Sequence, residues 1–287
     1  MMKYIFTLLC LIGFSAYAQD DLLKELDKET KDSSNVSATF KGTRIINLQS
    51  IENPAGKDLI FLISHRFGRL NEGISEFFGL DQATIRLGLE YGITDNIAIG
   101  LGRSSLNKTL DGFAKIKILK QTADNRIPLS LSWFSSMAAT TLSYSSPDKD
   151  DYTQGRMAYT HQLLLARKFS SKFSFQVSPT FVHRNLVLTP QDPNQVFAVA
   201  MGGRYKFTKR LALTAEYIPT LTKMPNNTQS LSLGLDIETG GHVFQLHFTN
   251  SQGMIDRYFV PETSGLWEKG DIYFGFNVAR VFTLGKK

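Results

Sequence analysis

The sequence predicts an all-β chain: a single antiparallel, up-and-down transmembrane β-barrel of about twelve strands, preceded by a cleaved signal peptide and a short polar segment. Three observations predict it. Beyond about residue 57, apolar and polar residues alternate with period two in segment after segment. Tight turns and longer polar connections take turns in joining those segments. Past the first twenty residues, no apolar run approaches the ~20 residues that a membrane helix requires.

Composition sets the outer bounds. The chain has 287 residues, 42% hydrophobic and 20% charged, which excludes a disordered polymer. Mean hydropathy is −0.13, which argues against a polytopic helical membrane protein. The only cysteine is Cys10. The expected mature chain therefore has no disulfide and no thiolate-bound metal.

Residues 1–18 read as an export signal. Lys3 is the positive n-region, Tyr4 to Phe14 the apolar core, and Ala16-Tyr17-Ala18 the small-x-small cleavage pattern. Leu9 before Cys10 argues against a lipoprotein, because a small residue is wanted there. Residues 19–35 follow with six acids and three bases, and read as a solvated leader or short helix capped by Asp20 or Asp21. The division expected is 1–18 signal, 19–50 periplasmic segment or lumen plug, and 51–287 barrel.

Thirteen β-like segments follow, at roughly 36–50, 57–67, 82–93, 97–104, 112–121, 127–140, 156–169, 173–187, 196–208, 210–219, 229–238, 242–249 and 270–283. Residues 229–238 (QSLSLGLDIE) show the pattern. Leu231, Leu233, Leu235 and Ile237 point one way; Ser232, Gly234, Asp236 and Glu238 point the other. Tight turns are expected at 94–96, 122–126, 170–172, 208–209 and 240–241. Longer connections are expected after every intervening strand, for example at 143–155, 189–195 and 250–269. Placing the short turns in the periplasm makes 57–67 the first wall strand and 270–283 the last, an even twelve. Segment 36–50 is left over, as a pre-barrel strand or a piece folded into the lumen. Aromatics near strand ends fit interfacial girdles: Tyr91, Trp133, Tyr144, Tyr159, Phe169, Phe173, Phe207, Tyr217, Phe259, Trp267 and Phe282.

Two runs carry a resemblance. Pro54-Ala55-Gly56-Lys57-Asp58-Leu59-Ile60-Phe61-Leu62-Ile63-Ser64-His65-Arg66-Phe67-Gly68 is one, and the stretch from Thr239 to Ser251 (TGGHVFQLHFTNS) is the other. They resemble an uncharacterised family of bacterial envelope β-barrels. The resemblance implies the architecture and no catalytic residues.

The chemistry expected is that of a lumen. Arg86, Glu90, Arg204, Lys206, Glu216, Asp236, Glu238, Gln245 and His247 all fall on the polar parity of their segments. They line either a pore, where charge sets selectivity, or an interior filled by its own ion pairs or by residues 19–50. Small inward residues such as Gly88, Ser178, Ala200, Gly202, Gly234 and Gly275 leave room for water or for a plug. No metal or cofactor site is expected: His242 and His247, five apart, face opposite sides of a strand. A barrel hydrolase is a minor alternative. Ser64 and His65 are adjacent and point apart, and His247 meets Asn250 or Ser251 only by chance proximity. The basic balance, with a pI near 9.2, suits lipid or lipopolysaccharide phosphate at the rim better than nucleic acid. Expected partners are outer-membrane lipid, the barrel-assembly machinery and a small solute. A non-conducting structural or interaction barrel is the competing function, and a soluble periplasmic β-sandwich the competing fold.

Overall fold

The computed structural model describes residues 35–142, 153–187, 189–239 and 242–285. The expected signal peptide, the polar stretch up to residue 34, the 240–241 turn and most of the 143–155 connection lie outside the described residues.

Twelve strands form one closed sheet, each pairing antiparallel with its sequence neighbours. They are β1 (Asp58–Arg69), β2 (Ala83–Gly92), β3 (Ile97–Ser104), β4 (Thr109–Leu119), β5 (Ser130–Thr140), β6 (Met157–Lys168), β7 (Phe173–Arg184), β8 (Gln195–Lys206), β9 (Leu211–Ile218), β10 (Ser230–Thr239), β11 (His242–Thr249) and β12 (Tyr273–Thr283). The seam between β1 and β12 runs from Asp58↔Thr283 to Arg69↔Tyr273, with one bulge between Arg66 and Arg69. Leu284 N–H donates to the Lys57 carbonyl at 3.0 Å and prolongs the seam below the strands. On its outer surface His65 stacks on Phe276 at 4.9 Å and Phe67 on Phe274 at 5.6 Å. Closure leaves no strand edge exposed, which hydrocarbon demands because it offers no hydrogen-bond partner.

The short turns share one local device. The hydroxyls of Thr94, Ser170 and Thr208 each accept from backbone N–H groups two and three residues on, at 2.9–3.2 Å. A side chain thus replaces the missing ladder partner at the reversal. The connections depart from the expected alternation at one place. Leu106–Lys108 is a single 3-10 turn, so the β3–β4 link is short, while the 120–129 link at the opposite end is long. Alternation persists upward through Thr109, Leu110 and Asp111, and β4 starts three residues earlier than its apolar pattern suggested.

Period two sorts the wall. Outward residues include Leu87, Leu89, Ile99, Leu213, Leu233, Leu246 and Phe248, all exposed, and Leu101 is 71% exposed. No helix among the described residues is long and apolar enough to cross a membrane. The strands carry the apolar belt.

Segment 36–50 is not a wall strand. It forms only isolated bridges, Asn35↔Thr122 and Arg44↔Gln49. Phe40, Ile45, Leu48 and Ile51 instead pack with inward Phe113, Phe134, Leu164, Val182 and Ala200 in one buried cluster. Inward glycines make the space. A Cβ on Gly202 would lie 2.5 Å from Ile45 Cδ1, and one on Gly234 3.1 Å from Ile46 Cδ1. The connection between β11 and β12 also turns into the bore, where a helical turn at Asp256–Phe259 is wholly buried. Phe259 therefore belongs to this inner cluster and not to an aromatic girdle, because its loop folds inward.

Gly275 tests closure. A Cβ there would lie 2.6 Å from both the His65 carbonyl and His247 Nε2, and the carbonyl is ladder backbone that has nowhere to go. Gly275→Val is expected to abolish the faster migration that a closed barrel shows unboiled on a denaturing gel, while Gly112→Ala, with 3.2 Å to a flexible Leu101 methyl, retains it.

Candidate functional site

The candidate site is the bore itself, where barrel side chains hold two pieces of non-repetitive backbone. A buried coil must have its N–H and C=O groups satisfied one by one, and each lapse costs about 1–3 kcal/mol. The inner segment meets that requirement with side chains from strands on all sides. Glu216 on β9 accepts from the backbone N–H groups of Ile46 at 2.6 Å, Asn47 at 3.0 Å and Leu48 at 2.8 Å. Lys115 on β4 donates to the carbonyls of Ser50 at 3.1 Å and Glu52 at 2.5 Å. Gln176 on β7 donates to the Gln49 carbonyl at 2.8 Å. Gln245 on β11 donates to the Ile45 carbonyl at 2.7 Å, and Asn277 on β12 to that of Ile46 at 2.9 Å. An anion gathers the donors of one turn, and a cation gathers the acceptors of the next.

Arg66 on β1 ties both inward pieces together. Its guanidinium donates to Asn47 Oδ1 at 2.7 Å and to the Ser251 carbonyl at 2.6 Å. It also lies 3.1 Å from His247 Nε2. A guanidinium has no lone pair to accept with, so that nitrogen is the acceptor.

The structure places all nine expected lumen residues on the inner parity of their strands. Arg86 is held by Asp111, with 2.9 and 2.5 Å bonds. Glu90 faces Arg44 of the inner segment at 3.6 Å. Arg204 bridges Asp236 and Glu238, and Glu238 also takes Lys41 at 3.4 Å. Glu216 and Gln245 bind the segment directly, and His247 reaches it through Arg66. Lys206 is half-buried at the short-turn end of β8. These charges face protein partners in this conformation and not an open water column. Sequence reasoning passed over Arg66, Lys115 and Arg184. On β1 both parities are apolar, Leu59/Phe61/Ile63 against Ile60/Leu62, so Arg66 has no readable side. Lys115 does share the parity of Asp111 and Phe113, which was the available signal.

The inward loop has its own latches. Arg184 on β7 pairs with Glu262 at 3.0 Å, and Tyr258 shares a 2.6 Å hydrogen bond with Thr109. Gln162 on β6 donates its amide to Asp256 Oδ1 at 2.9 Å, while Gln162 Oε1 is buried with no partner. Burial pushes the Asp256 carboxyl up to about 6, against the pull of Arg44, and burial also raises Glu262.

Chemistry beyond binding has thin support here. No cluster of three or more His, Cys, Asp or Glu fit for a metal occurs among the described residues. Ser64 is inward and His65 outward, as their adjacency requires. Among the described residues, one hydrogen-bonded Ser/His pair occurs, on the outer wall: Ser135 Oγ to His161 Nδ1, 2.9 Å. Twenty-six residues separate them, and only the β5–β6 register brings them opposite, so the sequence carried no signal for it. His161 lies between Trp133 and Phe181 at the edge of an apolar groove of about 480 Å³. Among the described residues no third side chain hydrogen-bonds His161 to orient it as a base.

Two outcomes are expected. Glu216→Gln removes the carboxylate that gathers three N–H groups, at a cost of roughly 3 kcal/mol, and should expose residues 36–52 to limited proteolysis with the barrel still closed. The Asp256 contribution is fully present below its ordinary value of 3.8 and is lost as pH rises through about 6. Protection factors of the amides in residues 254–262, with the intrinsic pH dependence of exchange divided out, should fall roughly ten-fold between pH 5 and 7, and Asp256→Asn should flatten that fall.

No curated protein matches the chain in sequence. Solved structures similar to it include the KdgM porin, with 8% identity, a TM-score of 0.49, and 78% of this chain and 99% of that chain covered. A COG4313 outer membrane channel from Pseudomonas putida F1 has 13% identity and a TM-score of 0.47, covering 81% of this chain and 98% of the other. Outer membrane phospholipase A from Escherichia coli has 11% identity and a TM-score of 0.45, covering 84% and 95%. Residues 40–282 match the family described as a membrane bound beta barrel domain (DUF5777), and the chain belongs to that family.

Proposed function

We propose that this barrel sits in the bacterial outer membrane after removal of residues 1–18, and acts as a porin-like protein that binds or passes a small polar solute. In this reading residues 39–52, entering the bore from one end, and residues 250–265, entering from the other, close it at rest. The observation that carries the reading is the nature of the latches. The inner segment is held at its backbone by Glu216, Lys115, Gln176, Gln245 and Asn277, through hydrogen bonds that water or a polar solute can replace. A barrel closed for stability alone gains more from apolar packing than from buried charge. Withdrawal of the segment would uncover Glu90, Lys115, Arg204, Glu216, Asp236 and Glu238, a mixed ring able to select among solutes by charge. In this reading the partners are outer-membrane lipid, with lipopolysaccharide at the rim, the barrel-assembly machinery and the solute. It involves no chemical step, so the purified barrel should leave lipid and nitrophenyl esters intact.

Planar-bilayer recording tests it. The unaltered protein should show rare, brief openings. The double variant Glu216→Gln/Lys115→Met should raise open probability by roughly ten-fold or more, since each latch is worth more than about 1.4 kcal/mol. Arg204→Glu in that background should shift the reversal potential toward cation preference. Silence in all three at every voltage would sink the conducting reading and leave a closed structural barrel.

A further inference from the structure

The connection between β1 and β2 carries an apolar surface that nothing in the described chain covers. Its 3-10 segment, Ile74–Gly79, reads ISEFFG and is followed by Leu80. Ile74 is 82% exposed, Phe77 58%, Phe78 51% and Leu80 41%. These four lie within seven residues of the 70–82 connection. Water alone would select against such a cluster, and monomeric proteins seldom keep one without a partner.

The backbone makes the display deliberate. Phe77 has φ 46° and ψ 48°, and Phe78 has φ 55° and ψ 38°. Two successive L-residues in the left-handed region are strained, above all with aromatic side chains. Hydrogen bonds hold the turn in this shape. Phe78 N–H donates to the Gly73 carbonyl at 2.7 Å, and Leu80 N–H to that of Phe77 at 3.2 Å. Gly79 then packs so closely on Gly68 that a Cβ would lie 2.5 Å from the Gly68 carbonyl carbon. The loop is pinned to the top of β1, and of its three acids Glu72 accepts from Gln82 at 3.2 Å within the same loop, Glu76 is half-buried, and Asp81 follows the apolar cluster, exposed where headgroups would lie. Strain in an exposed segment persists when some other contact offsets it.

We infer that residues 74–80 are an interfacial membrane anchor, with Ile74, Phe77, Phe78 and Leu80 inserted into the lipid leaflet at the long-connection end of the barrel. Continuity with the lipid-facing wall selects lipid as the occupant. The loop leaves β1 after Arg69, two residues beyond Phe67, whose ring stacks on Phe274, itself 5.3 Å from Phe248, and this aromatic patch is the rim of the outward face. It rejoins the wall at β2, whose outward row runs through Ala83, Ile85, Leu87 and Leu89. The anchor so extends the apolar belt beyond the strand ends at one sector. The inference rests on the barrel being in a membrane and is independent of whether the bore conducts.

The test uses the full chain reconstituted into phosphatidylcholine vesicles, with Phe77→Trp and, separately, Phe78→Trp. The emission added over the unsubstituted protein, which already holds Trp133 and Trp267, reports the loop. Faster migration of the unboiled protein on a gel verifies closure for each variant. The added emission should be blue-shifted. It should fall roughly two-fold with lipids brominated at a shallow acyl position, the depth of about 5–10 Å that interfacial segments reach, and should resist aqueous iodide. Quenching by bromines at either position supports insertion. Water-like emission quenched by iodide at both positions overturns it. Protection from both quenchers also overturns it, because the cover is then protein, such as a second copy of this chain.

Discussion

Everything in this structure follows from the pairing of β1 with β12. In hydrocarbon an unpaired backbone group has no partner, so a sheet can persist there only if its two edges meet. The meeting fixes the direction of every side chain, because period two gives each strand one lipid side and one bore side. It explains why Gly275 lies opposite the backbone of β1, where a side chain would collide with the His65 carbonyl. It also explains why the outer seam is finished with stacked rings such as His65 on Phe276, which fill space without presenting a polar group to lipid.

Closure moves the polar burden indoors. A twelve-stranded wall encloses more room than its inward side chains fill, and the chain fills the remainder with its own coil from both ends. Coil lacks a ladder, so each backbone group requires a dedicated side chain. Glu216 and Lys115 do this in complementary ways, one for donors and one for acceptors, and Arg66 joins the two inward pieces. Apolar contacts fit around these anchors, with Ile45 against Gly202 and Phe40, Leu48 and Ile51 against Phe113 and Phe134. Polar contacts thus set position, and the apolar ones set fit. That division allows a segment to be seated firmly and still be exchangeable.

The outer surface obeys the same economy with reversed sign. Some polar residues on the lipid side pair with one another, as Ser135 with His161, and others lie near strand ends with an aromatic ring beneath them. Arg280 lies 5.0 Å over Phe282 and Arg167 5.3 Å over Phe169. A guanidinium there reaches the headgroup layer while its stem stays in the apolar belt. Phe282 takes this place inside β12, one residue before the strand ends.

The strand count, the antiparallel order and the sorting of most side chains were legible from residues alone, because alternation is a local property that each segment displays by itself. The runs 229–238 and 83–91 needed no neighbour to be read. Legibility failed where two faces carry the same polarity. On β1 apolar residues occupy both parities, and Arg66 disappears among them. It failed again for Phe113, Phe134, Leu164 and Ile218, apolar residues that point inward because the bore holds the chain's own apolar side chains there. No sequence pattern states what lies 170 residues away in the bore: Glu216 and the Ile46 backbone meet only once twelve strands have closed round the segment. Sequence by itself determined that this chain makes a barrel with an apolar outside and a charged inside. Only tertiary structure decided that those charges hold the chain's own backbone, because partners in a closed bore are chosen by register around a ring, and a linear pattern carries no information about who stands across it.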